Sequence, residues 1–257
     1  MNFIVGADWA AVNAQVSAPW TQVLRVAETD STNADLATAA RSGAGAGTVV
    51  VADHQRAGRG RLGRRWTAPP GTSVAISALL RPPASVPAER WLWLPLVAGM
   101  AVSEAVAELG AGEVAVKWPN DVLIGDRKVC GILSERVIDQ NAAVIGMGIN
   151  TTLSEDQLPV PTATSLALAG ARSDAVEVVV AVLGALGRWY QRWADGEDLA
   201  PAFSQRCGTL GRTVRVERGP SGDVTGVAEG VDAEGRLLVR TSAGLQAFSA
   251  GDVVHLR

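Results

Sequence analysis

The sequence predicts a mixed α/β domain around one sheet, followed by a small all-β domain. Strand-like apolar runs alternate with helix-like segments as far as about residue 207. Near Gly208 the pattern changes to short alternating runs separated by turn residues. Apolar residues make up 47% of the 257 positions, enough for a proper core, so global disorder is excluded. The expected division is therefore residues 1–207 and 208–257.

Residues 22–28 alternate as a strand. Asp30, Ser31, Thr32 and Asn33 form a cluster of helix-capping residues, and residues 34–41 continue as a helix that stops at Gly43. Residues 48–52 and 72–80 read as strands. Residues 88–109 read as helix, bent or split at Pro95, which lacks the N–H that the helix interior needs. A hairpin follows: strands at 114–118 and 121–124, a turn at Gly125 and Asp126, and a return strand at 128–136. Residues 142–150 form a buried strand whose Gly146 and Gly148 suggest close approach of a backbone or ligand. A short helical piece is expected at 164–169, and longer helices at 175–194 and 198–207. Alternating runs at 213–218, 224–231, 237–241 and 245–249 complete a small β-barrel or meander that should dock on the larger domain, one of its turns running through Gly219, Pro220, Ser221 and Gly222.

Composition excludes several function classes. Cys130 and Cys207 supply neither a disulfide framework nor a metal set, and His54 and His255 are too few for a histidine metal site. The N-terminal residues lack the basic and apolar regions of a signal peptide, and no apolar run is long enough to span a membrane. A cytoplasmic protein without membrane contact is the expectation.

The most informative segment runs from Gly58 to Trp66, with four arginines and three glycines in nine residues and Arg56 just upstream. Glycines let backbone N–H groups approach an anion, and guanidinium forks hold carboxylates and phosphates bidentately. An anion-gripping loop follows, most simply one for a phosphate-bearing ligand. Gly58, Gly60 and Gly63 have dinucleotide-fingerprint spacing, but Pro69, Pro70 and Gly71 rule out the long helix that the fingerprint requires. A solvated disordered segment and a nucleic-acid-binding arm are the alternatives; the net charge of −3 weakens the second.

Of the 23 basic residues only two are lysines, Lys117 and Lys128, and both lie in one apolar segment. Codon bias accounts for the arginine excess. It does not account for the survival of these two, which points to sites needing a compact ammonium rather than a flat fork. Two ordinary strand-end cations are the alternative.

Together these segments resemble the biotin protein ligases (biotin–[acetyl-CoA-carboxylase] ligases). The matching motifs, in order, are Ser31-Thr32-Asn33; Gln55 with Gly58-Arg59-Gly60-Arg61 and Gly63-Arg64-Arg65-Trp66; Lys117-Trp118-Pro119-Asn120-Asp121; Arg127-Lys128-Val129-Cys130-Gly131-Ile132-Leu133; and Gly146 to Asn150. The resemblance implies a mixed-sheet catalytic domain of the biotin/lipoate ligase type with an SH3-like C-terminal barrel. It implies that biotin carboxylate attacks the α-phosphate of ATP, with Mg2+, to give biotinyl-5′-AMP. A lysine of a biotin carboxyl carrier domain then takes the biotinyl group. Bringing a carboxylate against a polyphosphate demands several cations, as the arginine loop and two lysines provide.

By the same resemblance Ser31, Thr32, Asn33, Gln55, Gly58, Arg59, Arg61, Lys128, Gly131 and Gly148 bind biotin, with the two last glycines leaving room for its tail. Simple helix capping is the alternative for Ser31 and Thr32. Arg61, Arg64, Trp66, Lys117, Asn120, Asp121, Lys128 and Asn150 bind ATP or the adenylate, Trp66 by stacking on adenine. Lys128, Arg61 and Asp121 carry catalysis: Lys128 stabilises developing charge, Asp121 helps deprotonate the acceptor amine, and any metal lies near Asp121. The loop is expected to be mobile when empty, because its five arginines repel one another until an anion arrives. About thirty residues precede Ser31, too few for a helix-turn-helix domain and linker, so no specific DNA binding is expected. The carrier docks along an exposed strand edge, and the chain is a monomer or a weak, ligand-dependent homodimer. Rival functions are a lipoate or octanoate ligase or transferase of the same fold, and a biotin or nucleotide sensor without turnover.

Overall fold

The computed structural model describes residues 7–219 and 222–256. The first six residues, read above for a leader, and Pro220 and Ser221 of the expected turn lie outside the described residues.

The larger sheet has seven strands. They are β1 (Gln22–Thr29), β2 (Thr48–Gln55), β3 (Ser73–Leu80), β4 (Val114–Lys117), β5 (Asp121–Ile124), β6 (Arg127–Val137) and β7 (Ala142–Asn150), in the order β1-β2-β3-β7-β6-β5-β4. β1 and β2 are parallel, and every other neighbouring pair is antiparallel. The parallel pair needs a crossover, and helix α2 (Thr32–Arg41) supplies it. Ser31 caps this helix from extended backbone, accepting from the Ala34 N–H at 3.4 Å. α2 therefore begins directly at the pocket-forming residues Thr32 and Asn33.

The sheet is covered on both faces. α2 packs on one, where Leu36 and Ala40 meet Val50, Ala75, Leu79 and Val144. On the other lie α3 (Leu94–Glu108) and α4 (Ala175–Ala194), with the short α1 (Ala7–Gln15) against α4. This explains why seven of the eight β3 residues are buried rather than alternating. Pro95 splits its segment as expected: Ala88–Trp93 is a 3-10 helix, and Pro95 stands in the first turn of α3, where its missing N–H costs nothing.

The small sheet comprises β8 (Thr213–Glu217), β9 (Val224–Val231), β10 (Leu237–Thr241), β11 (Gly244–Phe248) and β12 (Asp252–His255). All its pairings are antiparallel, in the order β11-β10-β9-β8-β12. It docks firmly on the larger unit. Val214, Val216, Leu237, Val239 and Phe248 belong to the same buried cluster as α3 and α4. Two indoles clamp the junction: Trp93 Nε1 donates to Ala233 O at 2.8 Å, and Trp118 Nε1 to Gly235 O at 3.1 Å.

Four expectations are corrected. α1 and β12 are additional elements. Residues 164–169 form a turn rather than a helix, because their backbone is committed elsewhere: Leu166 N donates to Asn150 O and Ala167 N to Thr151 O. Within 198–207 only α5 (Ala200–Ser204) is helical, since the chain must extend by Arg206 to pair with β4. Among the described residues no helix is long and apolar enough to cross a membrane.

Candidate active site

A cleft of about 150 Å³ opens where the N-terminus of α2, the ends of β2 and β3, the arginine loop and the strands β6 and β7 converge. Its floor is a chain of polar groups. Gln55 Oε1 accepts from the Thr32 N–H at 2.9 Å and lies 3.0 Å from Thr32 Oγ1. Ser77 Oγ lies 2.7 Å from Thr32 Oγ1 and 2.6 Å from Asn33 Oδ1. Ser77 has one hydroxyl proton, and Asn33 Oδ1 can only accept, so Ser77 donates to Asn33. Asn33 Nδ2 donates to Leu133 O at 3.1 Å and to Glu135 Oε2 at 2.8 Å. Gly146 permits this packing: a Cβ there would lie 2.3 Å from Asn33 Oδ1.

The arginine loop closes the cleft as a small hairpin. Trp66 N donates to Gly58 O at 2.9 Å and Gly60 N to Arg64 O at 2.7 Å. Gly58 is required because a Cβ would come within 2.6 Å of the Trp66 carbonyl oxygen. The loop reverses through Leu62 and Gly63, both in the left-handed region. The Trp66 indole then lies across β6 and β7. A Cβ at Gly148 would meet its ring at 2.5 Å, and one at Gly131 at 3.0 Å. The space left by those two glycines thus receives Trp66. Its Nε1 is buried and has no hydrogen-bond partner among the described residues.

The ground given above for loop mobility, mutual repulsion, is corrected: four of the five arginines are paired with the chain's own acids. Arg56 pairs with Asp30 at 2.9 Å and Arg59 with Glu135 at 2.9 Å. Arg64 reaches Asp252 on β12 at 2.9 Å, and Arg61 lies 3.7 Å from the same carboxylate. Arg61 also donates to Asn120 Oδ1 at 2.8 Å and Gly251 O at 3.1 Å. Burial lowers the Arg61 pKa, opposed by Asp252, yet guanidinium stays charged at any ordinary pH.

Lys128 stands at the back of the cleft, 5.9 Å from the centre of the Trp66 ring. Its Nζ is 2.6 Å from Asp121 Oδ1, a contact that is ionic rather than a well-aligned hydrogen bond. Lys128 also lines a neighbouring cavity of about 350 Å³ with Lys117, Asp121, Asp126, Arg212 and His255. Burial pushes the His255 pKa down to about 4, with Lys117 and Arg212 adding to the effect.

The first cleft thus gathers Ser31, Thr32, Asn33, Gln55, Arg59, Arg61, Arg64, Trp66, Asn120, Lys128, Gly131 and Gly148. Gly58 shapes the loop behind it. Lys117 and Asp121 belong to the second cavity, across Lys128. Asn150 is outside both: it is buried and donates to Thr164 O at 2.8 Å. Three residues escaped the sequence reading. Ser77 is a hydroxyl within the apolar run of β3, Glu135 an acid within β6, and Asp252 opens β12. A hydroxyl midway along an apolar strand was the available signal for Ser77; Glu135, between Ser134 and Arg136, offered none. Among the described residues no three potential ligands converge on a metal position. Asp121 is engaged by Lys128, whose Nζ lies 2.6 Å from its Oδ1.

A hydrogen-bonding pocket, several guanidinium groups and an ammonium gathered in one cleft on a mixed sheet are what a ligase joining an acid to a phosphate compound requires. Comparison with known proteins agrees. Residues 22–151 match the biotin/lipoate A/B protein ligase family, and residues 209–256 match the biotin protein ligase C-terminal domain. The biotin–[acetyl-CoA-carboxylase] ligase of Mycobacterium tuberculosis is 41% identical over 93% of this chain and 90% of its own. That of Paracoccus denitrificans is 35% identical over 89% of this chain and 98% of its own. The biotin protein ligase of Aquifex aeolicus, solved in complex with biotin and ATP, superposes with a TM-score of 0.78 at 30% identity, covering 93% of this chain and all of that one. The chain belongs to the biotin protein ligase family.

Proposed function

We propose that this protein attaches biotin to a lysine of a biotin carboxyl carrier domain, using ATP through a biotinyl-5′-AMP intermediate, and that the cleft described above performs both steps. One observation supports the assignment of the cleft: Lys128 lines it together with the hydrogen-bonding groups of Thr32, Asn33 and Gln55 and the guanidinium groups of Arg59, Arg61 and Arg64. Thr32, Asn33 and Gln55 suit the ureido head of biotin, which both donates and accepts hydrogen bonds. Arg59 suits its carboxylate, and Arg61, Arg64 and Lys128 suit the carboxylate and the phosphates.

In the first step a biotin carboxylate oxygen attacks the α-phosphorus. The P–O bond to the β-phosphate breaks, and pyrophosphate leaves with its electron pair. Lys128 and Arg61 stabilise the charge accumulating on the phosphoryl oxygens. In the second step the carrier amine attacks the biotinyl carbonyl carbon, AMP departs, and Asp121 takes the amine proton. Asp121 lies 2.6 Å from Lys128 Nζ, beside the group assigned to the reacting centre. Mg2+, when bound with ATP, neutralises phosphate charge.

At about 150 Å³ the cleft is small beside ordinary ligand sites of roughly 300–1,000 Å³. The loop bearing Trp66 must swing to admit a nucleotide. Trp66 then exchanges its packing on Gly148 for adenine. Lys117, in the cavity beyond Lys128, suits the leaving pyrophosphate. For the carrier, the segment 206–208 already covers β4, through Val116 N to Arg206 O at 2.8 Å and Gly208 N to Val116 O at 2.9 Å. On β1, the other edge of the larger sheet, the Asn13 side chain already bonds Val23 N at 2.8 Å and Val23 O at 3.0 Å, so strand addition there would use the rest of the strand.

The match of residues 209–256 to the biotin protein ligase C-terminal domain favours biotin over lipoate or octanoate. The test is the mass of a carrier domain after incubation with biotin, ATP and Mg2+. A gain of one biotinyl group is expected. Lys128→Ala should slow it by about 100-fold or more, the usual cost of removing a charge-stabilising group. A gain with lipoate alone would replace the substrate, and full activity in Lys128→Ala would remove the lysine from the mechanism.

A further inference from the structure

We propose that Glu135 is a positioning residue that ties the head-group pocket to the arginine loop. The proposal rests on the reading of Thr32 and Asn33 as the biotin head-group site.

Side chains two apart on a strand share a face. Gly131, Leu133 and Glu135 therefore stand in one row along β6, and the first two line the cleft. Glu135 ends the row beside Val144, two residues beyond the pairing of Leu133 with Gly146. One oxygen of its carboxylate, Oε2, accepts from two donors of different kinds. Asn33 Nδ2, on the buried floor, is 2.8 Å away; the Arg59 guanidinium, on the loop, is 2.9 Å away. The charge drawn by one donor is unavailable to the other. Asn33 has no slack, because Ser77 holds its Oδ1, Leu133 O holds its Nδ2 and Gly146 lies flat against it. The position of Arg59 is thus referred through a single carboxylate oxygen to the residue that receives the head group. A ligand bonding Asn33 alters the hold on Arg59, and an anion drawing Arg59 alters the orientation of Asn33. Glu135 fixes Arg59 over the pocket mouth so that the loop meets biotin in a prepared position.

Glu135→Gln tests this. The amide can still accept from Asn33 but loses the charge that holds Arg59. Pyrophosphate release is followed while biotin and ATP are varied separately in Glu135→Gln, Arg59→Gln, the double variant and Asn33→Ala. Glu135→Gln should raise KM for biotin by about fivefold, the fold-change of a partly exposed ion pair, and leave KM for ATP unchanged. The double variant should be no worse than Arg59→Gln, since both substitutions remove one coupling. A wild-type KM for biotin in Glu135→Gln, a matching rise for ATP, or additive effects in the double variant would overturn the proposal. Asn33→Ala separates the two readings: if it leaves biotin binding intact, the head-group assignment itself fails.

Discussion

Replacing Gly146 by alanine should damage the site through one atom. A Cβ at this position would lie 2.3 Å from Asn33 Oδ1, 2.9 Å from its Cγ and 3.1 Å from its Nδ2. A relaxed carbon–oxygen contact is about 3.3–3.6 Å, so the amide must retreat by roughly 1 Å. It has nowhere to go while Ser77 at 2.6 Å, Leu133 O at 3.1 Å and Glu135 at 2.8 Å hold it. A shift of that size takes at least one of these bonds beyond hydrogen-bonding range. A buried polar group left unmade costs about 1–3 kcal/mol, and overpacking about as much. The sum is roughly 2–6 kcal/mol, which in a chain of this length lowers Tm by about 4–24 °C. Thermal denaturation by circular dichroism measures the first effect. Calorimetric titration with biotin measures the second, expected as a loss of about tenfold or more in affinity. Gly230→Ala in β9 is the control, because a Cβ there meets nothing within 4 Å. A Gly146→Ala protein that melts and binds biotin like wild type would refute both the packing argument and the role of Asn33.

Two further predictions concern the small β domain. Asp252→Asn removes the acid shared by Arg61 and Arg64; trypsin should then cut the ligand-free loop faster at Arg61 to Arg65, with little change in Tm because the pair is partly exposed, and an unchanged cleavage rate would show that Asp252 does not hold the loop. His255 has a folded-state pKa lowered to about 4, below the unfolded value of about 6.5. The unfolded chain therefore binds more protons between these limits, so the contribution of His255 is complete above about 6.5 and is lost as pH falls toward 4. Urea unfolding at pH 7 and pH 5 should show a smaller loss of stability in His255→Gln than in wild type, and equal losses would contradict the assigned burial effect.

Much of the larger sheet was readable because its strands carry apolar runs and its turns carry Gly and Asp. β12 was not: Asp252-Val253-Val254-His255 is too short to show a period, and only its pairing with β8 makes it a strand. Residues 164–169 have helix-compatible composition, but Asn150 and Thr151 capture their backbone N–H groups. At the site, Ser31 to Asn33, the arginine loop and Lys128 stood out by residue type. The glycines of β7 announced a close approach without naming its partner. The partners are side chains more than sixty residues away, Asn33 and Trp66, and the sequence alone carries no signal for such pairings.

The acids are the instructive omission. Arg59 finds Glu135 at a separation of 76 residues, and Arg64 finds Asp252 at 188. In the sequence the loop is a run of cations lacking counter-charges; in the fold nearly every cation has one. This changes what the loop selects. A ligand with one negative charge that displaces Glu135 or Asp252 exchanges one ion pair for another, at little net gain. On the proposed reading a triphosphate would bring several charges and many acceptor oxygens to Arg61, Arg64 and Lys128 at once, and would outcompete single carboxylates. If the loop closes on ATP as proposed, the chain's own acids raise the threshold for a simple anion while leaving closure on a nucleotide favourable. That bias suits an enzyme whose first step must wait for both a carboxylate and a polyphosphate.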